Sequence, residues 1–216
     1  MNTVFLELVY TWPKPYIRDQ DLATVFFMND GRRYDTVKYA IKKGILSQIK
    51  RGLYLIHLPH QKIYYDHFEI AQAIHGPSYI SLESALSYHG WIPEKVSTCT
   101  SVTAKRAKEF MTDIGNFTYL HVPITSFMLQ VQRVETNNAT YLIAEPWKAI
   151  ADHVYTHKRS WKSLANLISD MRIDEDSLLE SKLTQLEEIS IHYASMKVRC
   201  LFAKFYKEVL HEHKSH

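Results

Sequence analysis

Between positions 32 and 51 the chain carries Arg32, Arg33, Lys38, Lys42, Lys43, Lys50 and Arg51 against a single acid, Asp35. That is an excess of six positive charges in one short segment of a protein whose formal net charge is only +3. Clustered guanidinium and ammonium groups attract polyanions, phosphates above all: a guanidinium fork matches phosphate oxygens in pairs, and each neutralised backbone phosphate releases condensed counterions. The first 60 residues hold a net +4 and the remaining 156 a net −1, so the basic character belongs to one end of the chain.

The surrounding residues show how these charges would be presented. In NDGRRYDTVKYAIKKG, Asn29 or Asp30 can cap a helix start, and Gly44 follows Lys42 and Lys43 where a helix commonly ends. Within that helix of about three turns, Tyr34, Val37, Ala40 and Ile41 recur at helical spacing and are expected to face a core. At ~100° per residue, Arg32, Asp35, Thr36, Tyr39, Lys42 and Lys43 then fall on the opposite side. Downstream, ILSQIKRGLYLI reads as two short strands joined by a tight turn at Lys50, Arg51 and Gly52; upstream, IRDQDLATVFFM reads as another helix, followed by a turn from Asn29 to Gly31. Helix, turn, basic helix and a hairpin with a basic tip is the order of a winged helix-turn-helix, whose second helix enters the major groove while the wing lies along phosphates. In that reading Arg32, Thr36 and Tyr39 approach base edges or neighbouring phosphates. Lys42, Lys43, Lys50 and Arg51 hold the backbone, with Arg33 in the same DNA-binding set. The plainer alternative is a solvated basic helix beside an ordinary hairpin.

Other residues able to do chemistry read more simply. Lys105, Arg106 and Lys108 form a second basic patch, either solvated surface or a supplementary phosphate contact. Glu83 falls in the first turn of a helix, where a carboxylate offsets the macrodipole. His75, His89 and His121 lie among apolar neighbours and are expected in hydrogen-bonded, partly buried positions; no pair of them has HxxxH spacing and the two cysteines make no CxxC, so none of these points to a metal, and no motif points to a cofactor. Asp170, Asp174, Glu175 and Asp176 suit a solvated helix start, and the tail HEHKSH a frayed terminus.

Composition supports a folded chain: 216 residues, 46% hydrophobic, only six glycines, and long stretches rich in Leu, Ala, Lys, Glu and Ile. Two cysteines, Cys99 and Cys200, make no disulfide framework, and neither a leader pattern nor a long apolar run is present, which predicts a reduced, cytoplasmic protein without a membrane partner. The composition shifts after Leu58-Pro59-His60-Gln61. Residues 1–60 are therefore expected to form the DNA-binding domain and 61–216 a second domain that folds without the first. Its expected elements are a helix in IYYDHFEIAQAI, a Ser81-capped helix over Leu82 to Tyr88 ended by Gly90, strands in STCTSVT, NFTYLHVPI and ATYLIA, and a basic helix from Ala104 to Met111. From about residue 155 the chain reads as helical, with Trp161, Leu164, Ala165, Ile168 and Met171 on one helix and Ile191, Ala194, Val198, Leu201, Phe202, Phe205 and Val209 on a longer one. The fold class is α+β: a winged helix-turn-helix, then a helix-rich domain with a small mixed sheet and C-terminal helices.

Four stretches, in one order, carry a resemblance: RGLYLI, YISLESALSYHGWIPEKVSTCTSVTAKR, GNFTYLHVP and LIAEPWKAIADHVY. They resemble the AbiEi family of antitoxins, the antitoxin half of type IV toxin–antitoxin systems. The resemblance spans roughly Gly31 to Tyr155, and its most specific piece is YISLESAL followed by HG and a proline. The family usually shows Pro-Glu-Lys-Ala-Leu where this chain has Pro146-Trp147-Lys148-Ala149-Ile150, so Trp147 stands in place of an acid. The resemblance implies a non-enzymatic protein with two partners. The N-terminal winged helix represses its own promoter at an inverted repeat in double-stranded DNA; the C-terminal domain antagonises a nucleotidyltransferase-like toxin without a stable complex. A stand-alone regulator without a toxin is one alternative, and a nuclease another. A nuclease wants carboxylates converging on a divalent metal, and Asp113, Glu135 and Glu145 lie outside any such motif.

Overall fold

The computed structural model describes residues 3–24, 27–58, 63–159 and 161–215, so the domain boundary expected near Pro59 and His60 lies outside the described residues. The N-terminal part runs α1 (Thr3–Tyr10), β1 (Tyr16–Arg18), α2 (Asp19–Thr24), α3 (Asp30–Lys42), β2 (Leu46–Lys50) and β3 (Leu53–Ile56). Strand β3 pairs antiparallel with both β1 and β2, giving the order β1-β3-β2. The helix expected over Ile17 to Met28 is shorter than its pattern suggested: Ile17 and Arg18 pair with Tyr54 and Leu53 instead, and the Asp21 carboxylate accepts the Arg18 amide at 2.8 Å as α2 begins. Helix α3 has the expected ends. Asn29 caps it by accepting the Arg32 amide at 2.9 Å, and Gly44, at φ +69°, lets the Gly44 and Ile45 amides fold back onto the Ile41 and Ala40 carbonyls.

The small sheet has two apolar faces. Ile17, Leu46 and Ile56 pack with Phe5, Val9, Leu22 and Val37 into a core shared with the N-terminal helices. Tyr16, Ile49, Leu53 and Leu55 belong to the larger core formed with the rest of the chain. Alternation along each strand produces this division, and the register shift between Gln48 and Lys50 turns the end of β2.

The remainder comprises α4 (His67–Ile74), β4 (Ser78–Ile80), α5 (Leu82–Tyr88), β5 (Thr98–Thr103), β6 (Lys108–Thr112), β7 (Gly115–His121), β8 (Val131–Glu135), β9 (Thr140–Ala144), α6 (Pro146–Thr156), α7 (Leu164–Met171), α8 (Glu175–Leu179), α9 (Leu183–His192) and α10 (Met196–Ser215). The molecule is a mixed α+β fold. Its second sheet is mixed, as expected, but not small: six strands in the order β6-β7-β5-β4-β9-β8. The basic helix expected from Ala104 to Met111 is contradicted, because Lys108 to Thr112 forms an edge hairpin with Gly115 to Tyr119. Cross-strand pairing overrides the local helix preference of Ala, Lys and Met there. The expected C-terminal helix is also interrupted: Ile191 lies in the last turn of α9, and the Ala194 amide, in the break, donates to Ser126 Oγ at 2.7 Å.

Helix α6 has no free face. Every residue from Pro146 to Val154 is buried, including Lys148 and Asp152. Trp147 packs edge-on to Trp91 and Phe202, with centroids 5.0 and 6.1 Å away, and its indole N–H donates to Ser181 Oγ at 2.8 Å. On the next residue, the Lys148 ammonium pairs with Asp152, one turn further along, and donates to Tyr79 Oη at 2.7 Å. The Asp152 carboxylate also accepts from Tyr79 at 2.8 Å, Ser81 at 2.8 Å and Tyr193 at 2.9 Å. Ser81 thus directs its hydroxyl to Asp152 rather than capping α5 as expected. Burial, then the Asp152 charge, pushes the Tyr79 and Tyr193 phenols well up, while burial lowers the Lys148 ammonium against the pull of Asp152. Asp152→Ala should leave a buried cation without its counter-charge and cost about 3–5 kcal/mol in urea denaturation, whereas Lys148→Met combined with Asp152→Leu should recover only part of that loss, because the Tyr79, Ser81 and Tyr193 hydroxyls would still lack their acceptor.

Candidate nucleic-acid interface

Helix α3 meets the core along a narrower stripe than its sequence suggests. Val37 and Ala40 are buried, but Tyr34 is 67% and Ile41 38% exposed. The inward position is shared by Arg33, whose guanidinium reaches Asp19 at 3.2 Å, Asp30 at 2.7 Å and the Met28 carbonyl at 3.2 Å. Arg33 therefore binds α3 to the start of α2 and to the connection between the two helices. Arg32, Asp35, Lys38, Tyr39, Lys42 and Lys43 are exposed, and Thr36 is half-buried on one flank. Lys38 lies over the Tyr34 ring at 5.8 Å and Lys43 over the Tyr39 ring at 5.7 Å, so two ammonium groups are steered along the helix surface by aromatic faces.

The hairpin beside α3 is short. Arg51 and Gly52 alone connect β2 to β3; Gly52 at φ +78° supplies the left-handed turn residue, and its carbonyl accepts the Asp19 amide at 3.0 Å. Arg51 is exposed at the tip, while Lys50 is half-buried and turned toward β6. Between α3 and the hairpin runs a groove of about 730 Å³, walled by Tyr34, Lys38 and Ile41 on one side and Gln48, Arg51 and Tyr54 on the other. Asp19 and Asp30, which also border it, are both engaged by Arg33. The arrangement offers cations for phosphate oxygens beside aromatic and aliphatic groups for sugars and base edges. Lys38, Tyr34 and Ile41 were missed as parts of this face. The Asp30–Arg33 spacing of three residues was the available sign that Arg33 pairs within the helix and rotates the rest outward.

The other candidates are placed apart from α3. Lys105 donates to the Gly76 carbonyl at 2.6 Å, Lys108 lies 5.0 Å from the Phe110 ring centroid, and Arg106 is exposed beside them. His89 hydrogen-bonds the Ala144 carbonyl and His121 the Lys105 carbonyl, each at 3.0 Å, and His75 lies against the Phe110 and Tyr119 rings. Glu83 does sit in the first turn of α5, yet its carboxylate meets His153 Nε2 at 3.0 Å. Burial alone would raise the Glu83 carboxyl; the His153 hydrogen bond and the backbone outweigh it and hold the group below its ordinary value. Asp174 caps α8 by accepting the Ser177 amide, and Asp170 accepts from Trp161 and Arg159.

Glu135 pairs with Arg133 at 2.5 Å. Burial pushes the Cys99 thiol up to about 12, and Cys200 is exposed and free. Among the described residues, no group of three or more His, Cys, Asp or Glu is placed to hold a metal ion, and no helix is long and apolar enough to cross a membrane. The side chains of 212–216 in the histidine-rich tail lie outside the described residues.

No family model matches this sequence, and no curated protein matches it. The contrast between neighbouring arginines gives a direct check on the geometry. Arg33→Ala should lower unfolding stability by about 1–2 kcal/mol through loss of its charged hydrogen bonds, whereas Arg32→Ala should leave thermal and urea midpoints unchanged.

Proposed function

We propose that the N-terminal part is a winged helix-turn-helix and that the protein is a regulator that binds double-stranded DNA, with α3 in the major groove and the Arg51 tip along the backbone. The observation that carries this reading is the order α1-β1-α2-α3-β2-β3 around a central β3, combined with the outward cations of α3. Helix order, sheet order and exposed charge all favour one orientation on a duplex. Arg32, Lys38 and Tyr39 are the residues best placed for base edges and nearby phosphates, Lys42, Lys43 and Arg51 for the backbone; Arg33 positions the helix rather than touching DNA. A single module of this size makes a modest interface, so two copies on an inverted repeat, about one helical turn apart, supply the affinity.

The AbiEi resemblance extends the reading to a cytoplasmic antitoxin that represses its own promoter and antagonises a nucleotidyltransferase-like toxin without a stable complex. In this chain the position where the family carries an acid is Trp147, packed in the core against Trp91 and Phe202. Any contact that the acid makes in relatives is thus replaced by interior packing, and toxin antagonism runs through another surface.

Fluorescence anisotropy with a duplex taken from upstream of the protein's own gene tests the DNA reading. Across salt, the Lys42→Ala, Lys43→Ala, Arg51→Ala triple variant should lose about two to three units of the log Kd against log salt slope while keeping its thermal midpoint. A slope equal to that of the unaltered protein would show that α3 and the hairpin tip are not on DNA.

A further inference from the structure

Cations from both parts of the chain converge where the small sheet meets the edge of the large one. Lys50, ending β2, places its ammonium 5.8 Å from the Phe110 ring centroid, and Lys108, opening β6, places its own 5.0 Å from the same centroid. Arg18, ending β1, lies over the Tyr16 ring at 5.5 Å. Lys105 enters from the β5–β6 connection, anchored to the Gly76 carbonyl. Arg18 and Lys50 both lie opposite Leu53, from either side of β3. Burial first, and then the charges of Lys108, Arg18 and Lys105, hold the Lys50 ammonium below the ordinary lysine value. His75 borders the same cluster, its ring 6.1 Å from Phe110 and its Nε2 buried without a hydrogen-bond partner.

Among the described residues none of the four cations is ion-paired, and Glu69, the carboxylate facing Tyr16, is held by Lys14. Like charges gathered in a partly buried seam repel one another and oppose the compact state. The Phe110 and Tyr16 ring faces offset part of that repulsion, and the Tyr16 hydroxyl accepts from Arg18 at 3.5 Å, but neither supplies a negative charge. A tetrahedral anion does, and its several oxygens can accept from lysine and arginine donors arriving from different directions.

We infer that this seam is an anion site that receives a phosphate group, held jointly by Arg18 and Lys50 from the small sheet and by Lys105 and Lys108 from the large one. Only one of its two possible sources rests on the DNA reading: the group is either a backbone phosphodiester of the duplex engaged by α3 or the phosphate of a small ligand. In both cases it ties the two sheets together, so Lys50 acts at the seam rather than at the hairpin tip.

The test uses the full chain and the Lys50→Gln, Lys108→Gln variant, whose changes are confined to exposed or half-buried surface. Inorganic phosphate, compared with chloride at equal ionic strength and at about ten times its Kd, should raise the thermal midpoint of the unaltered protein by about 3 °C and leave the variant unmoved. In duplex titrations, a variant slope lower by about two units assigns the site to backbone phosphates; an unchanged slope with lost phosphate stabilisation assigns it to a small phosphorylated ligand. Identical responses of both proteins to phosphate together with identical slopes overturn the inference. Failure of the α3 variants to alter DNA binding would overturn the functional reading alone, since the phosphate arm requires no DNA.

Discussion

Lys148 and Asp152 stand one turn apart on a helix with no free face, and the architecture depends on how that pair is satisfied. A buried carboxylate beside a buried ammonium is tolerated only when its remaining lone pairs find donors. Here those donors come from separate elements: Tyr79 on β4, Ser81 at the head of α5 and Tyr193 just beyond α9. The central sheet, the central helix and the C-terminal helices are therefore held at one point, with Trp147 adding the apolar contact to α10 through Phe202. Such a pair contributes less to net stability than to the choice of one arrangement, because no shifted packing would satisfy the same four groups.

That fixed body matters to α3 through the small sheet. Tyr16, Leu53 and Leu55 extend the larger core, while Ile17 and Ile56, on alternate positions of the same strands, hold the N-terminal helices. A three-stranded sheet gripped on both faces has little freedom to tilt, and the Lys14–Glu69 ion pair adds a polar tie between the N-terminal segment and α4. The basic helix is consequently presented outward in a set direction, with Arg33 pinning its start and the Gly52 carbonyl joining the hairpin turn to α2. Rigid presentation reduces the ordering cost of binding a polyanion.

Local signals were readable where chemistry is local. Asn29 and Gly44 bracket α3 because capping and a left-handed C′ residue are decided by the residues themselves, and strands β5, β7 and β9 follow from β-branched and aromatic runs. Pairing across the chain was not readable. Ile17 and Arg18 look helical until Tyr54 and Leu53 lie beside them, and the Ala104 to Met111 segment looks helical until β7 offers its edge. For the candidate interface, the charges were visible in the sequence but their directions were not: Arg33 turned inward to two carboxylates, Lys50 turned toward Phe110, and Tyr34, Lys38 and Ile41 turned out. The Lys148–Asp152 pair, four residues apart, read as part of a motif, yet nothing in its spacing announced that Tyr79, Ser81 and Tyr193 would close around it.

Amide hydrogen exchange of the full chain, with and without a duplex from upstream of its own gene, tests the central claim most directly. If α3 reads DNA on a rigid body, exchange should slow on adding duplex across Asp30–Lys42 and the Arg51–Gly52 turn, while α6 to α10 remain unchanged. Protection confined to the C-terminal helices, or no protection in α3 under conditions where the duplex is bound, would contradict the account.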